Sequence, residues 1–229
     1  MPEGTWAAAA GYIVTVQPFT FDRSMEDTAP VFERTSPSPR TYLPDEDFLT
    51  MEYSGSGDVT AAVAPAGRIV IPSPGGVASG CSAADFVGFQ AGAIALVQRG
   101  TCTFREKAQF AQDAGAVGVI IFNEGNTAER TGVVNGTLDP PQMGLPVIGT
   151  SPSVGVELFN LLRSGPVTVH LMVDASVIAT KSANVIADSP TGRADRTVVV
   201  GSHLASVTEG PGINESATGT KGPNGSGNV

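Results

Sequence analysis

The chain has 229 residues, of which 28 are glycine and 17 proline, and only 15% are charged, a balance that predicts many turns and a loop-rich β domain. Its formal net charge of −9, with no clusters of Lys or Arg, argues against nucleic acid as a partner, because affinity for phosphate backbones comes from such clusters. No stretch reaches the roughly 18 consecutive apolar residues of a membrane span, so none is expected, and the start Met1-Pro-Glu-Gly has neither the basic end nor the apolar core of a signal peptide, so the chain is expected to be a mature fragment.

In chain order, Ala7 to Ala10 read as the tail of a helix, and an alternating strand follows from Gly11 to Phe21. The Pro-rich stretch from Ser36 to Pro44 reads as a linker. Residues 68–71 (Arg-Ile-Val-Ile) are expected as a strand. Residues 94–97 are a short apolar run between Gly92 and Gly100, which predicts a buried strand. Thr103 and Glu106 then have the spacing of a capping box, in which the hydroxyl takes an orphan amide and the carboxylate reaches back to the cap. Phe104, Ala108, Ala111 and Ala114 fall on one face of the helix so started, and Gly115 stops it. Residues 117–122 are the next strand, completing a strand-helix-strand unit.

A second helix is predicted from Ser151 as cap, Pro152 at its first position and the stripe Val154, Leu158, Leu161, Leu162. The alternation from Val167 to Val173 is a strand in which His170 is half-buried. Two further strands are expected over residues 184–187 and 197–201. The tail after Gly219 has no apolar periodicity and is expected to be disordered. The whole reads as α+β, a β-rich, barrel-like core with two or so short helices.

The strand over residues 197–201 carries His203 at its C-terminal end, where open sheets place ligands. After a Gly210-Pro-Gly turn, a carboxylate arrives at Glu215. One imidazole and one oxygen are a reasonable start of a zinc site, but a catalytic centre needs at least three protein ligands. None of the fourteen residues after Glu215 is His, Cys, Asp or Glu.

The runs Asn184-Val-Ile-Ala, Thr197-Val-Val-Val-Gly-Ser-His-Leu and Glu209-Gly-Pro-Gly-Ile-Asn resemble the start of the catalytic domain of secreted di-zinc aminopeptidases, the family of Streptomyces aminopeptidase and yeast vacuolar aminopeptidase Y. The resemblance implies that His203 matches a zinc ligand. Ala205 stands where the family has an orienting Asp, and Glu215 where it has the Asp that bridges both ions. Losing an outer-shell carboxylate weakens metal affinity on the order of 10–100-fold. Zinc is therefore the cofactor of the family, while this chain is expected to bind none.

Residues 92–107 (Gly-Ala-Ile-Ala-Leu-Val-Gln-Arg-Gly-Thr-Cys-Thr-Phe-Arg-Glu-Lys) and the following 108–124 are similar to the signature of the protease-associated (PA) domain, with Leu145-Pro-Val-Ile as its later strand. Together the two resemblances imply three regions. Residues 1–44 are an N-terminal strand segment of a peptidase domain plus linker, 45–178 are a PA domain, and 179–229 are the truncated start of the catalytic domain. The PA domain is thus expected as an insert in an α/β zinc-peptidase sheet.

Cys81 and Cys102 flank the strand at Ile94. In a cytosolic enzyme they would read as inert thiols, and no further Cys or His lies near enough in sequence for a metal site. The family resemblance and a secreted location imply a disulfide between them, worth roughly 3 kcal/mol in the chain-entropy model.

Two classes of function follow. One is a zinc exopeptidase whose PA domain acts as a lid over the cleft. The other is a binding module, or receptor-like homologue, that has lost the zinc ligands, as Ala205 and Glu215 suggest. The expected partners are a peptide or protein substrate, or the remainder of the catalytic domain. Self-association through uncovered strands is expected in its absence.

Overall fold

The computed structural model describes residues 11–196 and Val198. The chain divides into two compact units. One draws its described residues from 11–19 and 183–198, and the other is Thr20–Ser182.

Eight strands are present among the described residues: β1 (Ile13–Ser36), β2 (Arg40–Thr41), β3 (Phe48–Thr50), β4 (Gly57–Pro65), β5 (Ile94–Gln98), β6 (Gly118–Phe122), β7 (Val147–Thr150) and β8 (Thr168–Asp188). They form one sheet in the order β2-β1-β8-β4-β5-β6-β7-β3. The centre is parallel, with Val63 opposite Ile94, Leu96 opposite Ile120 and Ile120 opposite Ile148. β4 pairs with β8, β7 with β3 and β1 with β2 in antiparallel fashion.

Every residue of β5, β6 and β7 is buried, as parallel strands covered on both faces must be. Successive side chains point to opposite faces. Ile94, Leu96, Ile120, Phe122 and Ile148 therefore enter one core, and Ala95, Val97, Val119, Ile121 and Val147 the other. Helix α1 (Phe104–Asp113) covers the second core with Ala108 and Ala111, and helix α2 (Pro152–Leu162) covers the first with Val154 and Leu158. The first core also takes Phe32, Tyr42 and Phe48 from the two ends of the strand order. Phe32 stacks on Tyr42 at 4.4 Å and meets Phe48 edge-on at 5.5 Å. Within the larger unit the sheet thus curls into a half-barrel around α2.

Both helices start as their sequences dictate. Glu106 N donates to Thr103 Oγ1 at 3.2 Å while Thr103 N donates to Glu106 Oε2 at 2.9 Å, closing the capping box. Ser151 Oγ accepts from Val154 N, with Pro152 at the first position. Gly115, at φ 84°, supplies the left-handed turn after α1. Gly155 is required for a different reason: a Cβ there would come within 2.0 Å of Phe122 Cγ, so its absence lets α2 lie directly on β6.

Three expectations are corrected. Residues 68–71 are not a strand, because β4 occupies the place beside β5, and the loop instead hangs on the Gln98 side chain. Val70 N donates to Gln98 Oε1 at 2.9 Å and Gln98 Nε2 donates to Val70 O at 3.0 Å. The strands expected over 167–173 and 184–187 are one continuous element, β8. The stretch from Ser36 to Pro44 is exposed apart from Tyr42 but is anchored rather than a free tether: β2 pairs with β1, and Tyr42 is 1% exposed. The readings over Ala7 to Ala10, over 197–201 apart from the exposed Val198, and over the tail after Gly219 lie outside the described residues.

Candidate functional site

Parallel strands gather their ligands at their C-terminal ends, and here β5 and β6 end at a cleft of about 450 Å³, within the roughly 300–1,000 Å³ typical of ligand pockets. Its walls are Ile71, Pro72 and Pro74 from the loop held by Gln98, Phe122 at the end of β6, and Pro152 and Val156 at the start of α2. Three prolines and an aromatic ring give a rigid apolar surface. The polar side chains are Ser73, Gln98, Glu124 and Asn126, with that of Gln98 already tied to Val70.

Glu124 has a fully buried side chain, ion-paired to Arg130 and 3.4 Å from Ser73 Oγ. Neighbouring Arg99 donates to Asn123 Oδ1 at 3.4 Å. Its guanidinium is held below the ordinary range by burial and by Arg130, with Glu124 opposing. Asn126 is exposed at the rim, with its amide over Gly75. Apolar walls beside the exposed Asn126 amide suit one apolar side chain and one backbone group of an extended segment, while the Glu124 carboxylate is held by Arg130 and is not presented to it.

The second chemical cluster lies under α1. Cys81 and Cys102 are joined by a disulfide, with Cα atoms 5.7 Å apart. Lys107 is fully buried beside it. Its Nζ donates to Ser79 O and lies 3.5 Å from Cys81 Sγ. Burial lowers the Lys107 ammonium to about 8, against the pull of Asp85, Glu124 and Glu106.

His203 and Glu215, the two candidate zinc ligands, lie outside the described residues, as does Ala205. Among the described residues no group of three or more His, Cys, Asp or Glu side chains could hold a metal ion. His170 is half-buried on β8, with Nε2 2.8 Å from Asp58 Oδ1 and Nδ1 3.9 Å from Glu33 Oε2. Sequence reasoning missed the cleft and Lys107. The helical spacing placed Lys107 three residues after Phe104 and four before Ala111, on the apolar face. That was the available signal.

Residues 59–158, from β4 through the first two turns of α2, match the family model described as the PA domain. The chain carries a PA domain. Around it, the similarity extends to aminopeptidases. An aminopeptidase of Pseudomonas aeruginosa strain UCBPP-PA14 is 42% identical over 212 residues, covering 92% of this chain and 39% of that relative. A probable leucine aminopeptidase 2 of Aspergillus fumigatus is 34% identical over 175 residues, covering 76% of this chain and 32% of the relative. Among solved structures, an aminopeptidase from Aneurinibacillus sp. strain AM-1 matches with TM-score 0.65 and 29% identity, covering 83% of this chain and 42% of that one. A zinc aminopeptidase from Bacillus subtilis matches with TM-score 0.55 and 25% identity, over 81% of this chain and 39% of that one. The chain with its PA domain therefore spans between about a third and two-fifths of the length of these relatives.

Proposed function

We propose that this chain is the PA-domain-bearing portion of a secreted zinc aminopeptidase, inserted in that enzyme's α/β sheet, and that the PA domain acts as a lid and substrate-holding module. The observation that carries the reading is the 42% identity to a Pseudomonas aeruginosa aminopeptidase over 92% of the chain. The disulfide fits an oxidising compartment. The cleft at the ends of β5 and β6 is the surface on which the lid would hold a peptide.

When bound in such enzymes, zinc supplies an activated water and polarises the scissile carbonyl. His203 and Glu215 are two ligands of the three that a catalytic centre requires, so this polypeptide by itself is expected to be silent. The purified chain with added zinc should release nothing from an amino-acid nitroanilide, and zinc-dependent release abolished by His203→Ala would reject that expectation. Joined to the C-terminal remainder of the Pseudomonas relative, the chain should form an active aminopeptidase. Ala205 and Glu215 favour a second reading, a receptor-like binding module. A folded, zinc-loaded chimaera that releases no amino acid would decide for it.

A further inference from the structure

The two sulfurs of the disulfide have unequal surroundings. Cys81 Sγ is approached by Lys107 Nζ at 3.5 Å and Thr101 Oγ1 at 3.8 Å. None of the described hydrogen bonds reaches Cys102 Sγ. The carboxylates on each side sharpen the difference. Asp85 lies near Cys81, but its Oδ2 accepts from Cys81 N at 2.9 Å, Ser82 N at 3.0 Å and Ser82 Oγ at 3.2 Å, so three donors hold its charge. Cys102 adjoins Thr103, whose amide and hydroxyl both donate to Glu106, so these donors beside Cys102 are already engaged by a carboxylate. Glu124, the remaining acid acting on Lys107, is tied to Arg130.

A disulfide opens when a thiolate attacks one sulfur and expels the other, and the sulfur with the more stable thiolate leaves faster. An ammonium donor against the sulfur provides that stabilisation. We propose that Cys102 is a site of S-thiolation by low-molecular-weight thiols, with Cys81 as the leaving group. The incoming thiolate forms an S–S bond to Cys102 Sγ. The Cys81–Cys102 bond breaks with its electron pair on Cys81, and Lys107 holds the resulting thiolate. One disulfide forms as one breaks, so no oxidant or reductant is consumed. The proton lost by the incoming thiol passes to solvent.

The fold tolerates this exchange, because the segment carrying Cys81 is held independently. Ser79 Oγ donates to Ala66 O at 2.8 Å and accepts from Gln98 N at 3.0 Å. Both cysteines are half-buried, which leaves the bond within reach of a small thiol.

The test is to treat the oxidised chain with substoichiometric reduced glutathione, block free thiols with N-ethylmaleimide at low pH, and map both labels by mass spectrometry. Glutathione on Cys102 with maleimide on Cys81 should exceed the reverse pattern roughly tenfold. Urea-unfolded chain should give near parity. Lys107→Met should bring the native ratio close to parity, and Lys107→Arg, which keeps a cation, should retain the excess. Should Lys107→Met not fold, the wild type mapped above the Lys107 titration should lose its excess instead. Equal labelling in the native wild type, a preference for Cys81, or an undiminished excess in folded Lys107→Met would overturn the proposal.

Discussion

Lys107 and Tyr42 are buried polar groups whose titrations pull stability in opposite directions. The unfolded chain holds the Lys107 proton up to the ordinary 10.5, whereas the folded chain releases it from about 8. Between these values the unfolded state binds more protons, so stability rises with pH. Tyr42 is pushed up to about 12, first by burial and then by Glu157. The folded chain keeps that proton longer, and stability falls as pH climbs from 10 towards 12. The midpoint of urea unfolding should therefore rise above pH 8 and decline beyond about pH 10. Lys107→Met should remove the rise and Tyr42→Phe the decline. Tyr42 Oη is buried with no hydrogen-bond partner among the described residues, so Tyr42→Phe should also stabilise the chain by about 1 kcal/mol at neutral pH. At this scale the sequence was legible where chemistry is local. The Thr103 and Glu106 cap could be read directly, and the Cys81 and Cys102 pair through its resemblance. Spacing puts Lys107 on the apolar face of α1, but the groups that close over its ammonium, at Ser79 and Cys81, come from a distant segment that the helix sequence does not display.

α2 is the element on which the half-barrel closes. Its Glu157 takes ion pairs from both Arg34 and Arg40, fastening it to β1 and β2. Its Gly155 admits the Phe122 ring. Gly155→Ala would gain roughly 1 kcal/mol of helix propensity, but overpacking against Phe122 typically costs about 1–3 kcal/mol. The expected outcome is net destabilisation, read as a lower urea midpoint with an unchanged slope. An increase would show that β6 yields to the added methyl. Both helices were legible because a cap and an apolar stripe coincide within a dozen residues, with a glycine stop added in α1. β5 and β6 were legible as apolar runs between glycines. β4 was not: Gly57-Asp-Val-Thr-Ala-Ala-Val-Ala-Pro is small and mixed in polarity, and its place is set by the partners on either side. The cleft escaped for a related reason, since its walls come from residues 71–74, 98, 122–126 and 152–156, which only the tertiary fold assembles.

At the scale of the whole molecule, the smaller unit exposes apolar side chains on strands. Ile13 is 65% exposed, Val16 58% and Ile186 39%. Apolar strand surface left in water favours association. Sedimentation of the full chain should show a dimer or larger species, and residues 20–182 alone should run as a monomer. A full chain that stays monomeric at high concentration would reject this. The parallel centre of the sheet has a consequence for the rate at which the chain finds its fold. β4, β5, β6 and β7 are joined through residues 66–93, 99–117 and 123–146, so none of these pairings can begin as a hairpin. Each requires a long loop to close before its first contact forms, and chains built on such distant contacts cross their barrier slowly. α1, capped at one end and stopped at the other, is the segment able to form before any of them. The nascent protein therefore spends its most vulnerable interval with the apolar runs at Ile94 and Gly118 still unpaired, and its folding yield will be set by how long that interval lasts.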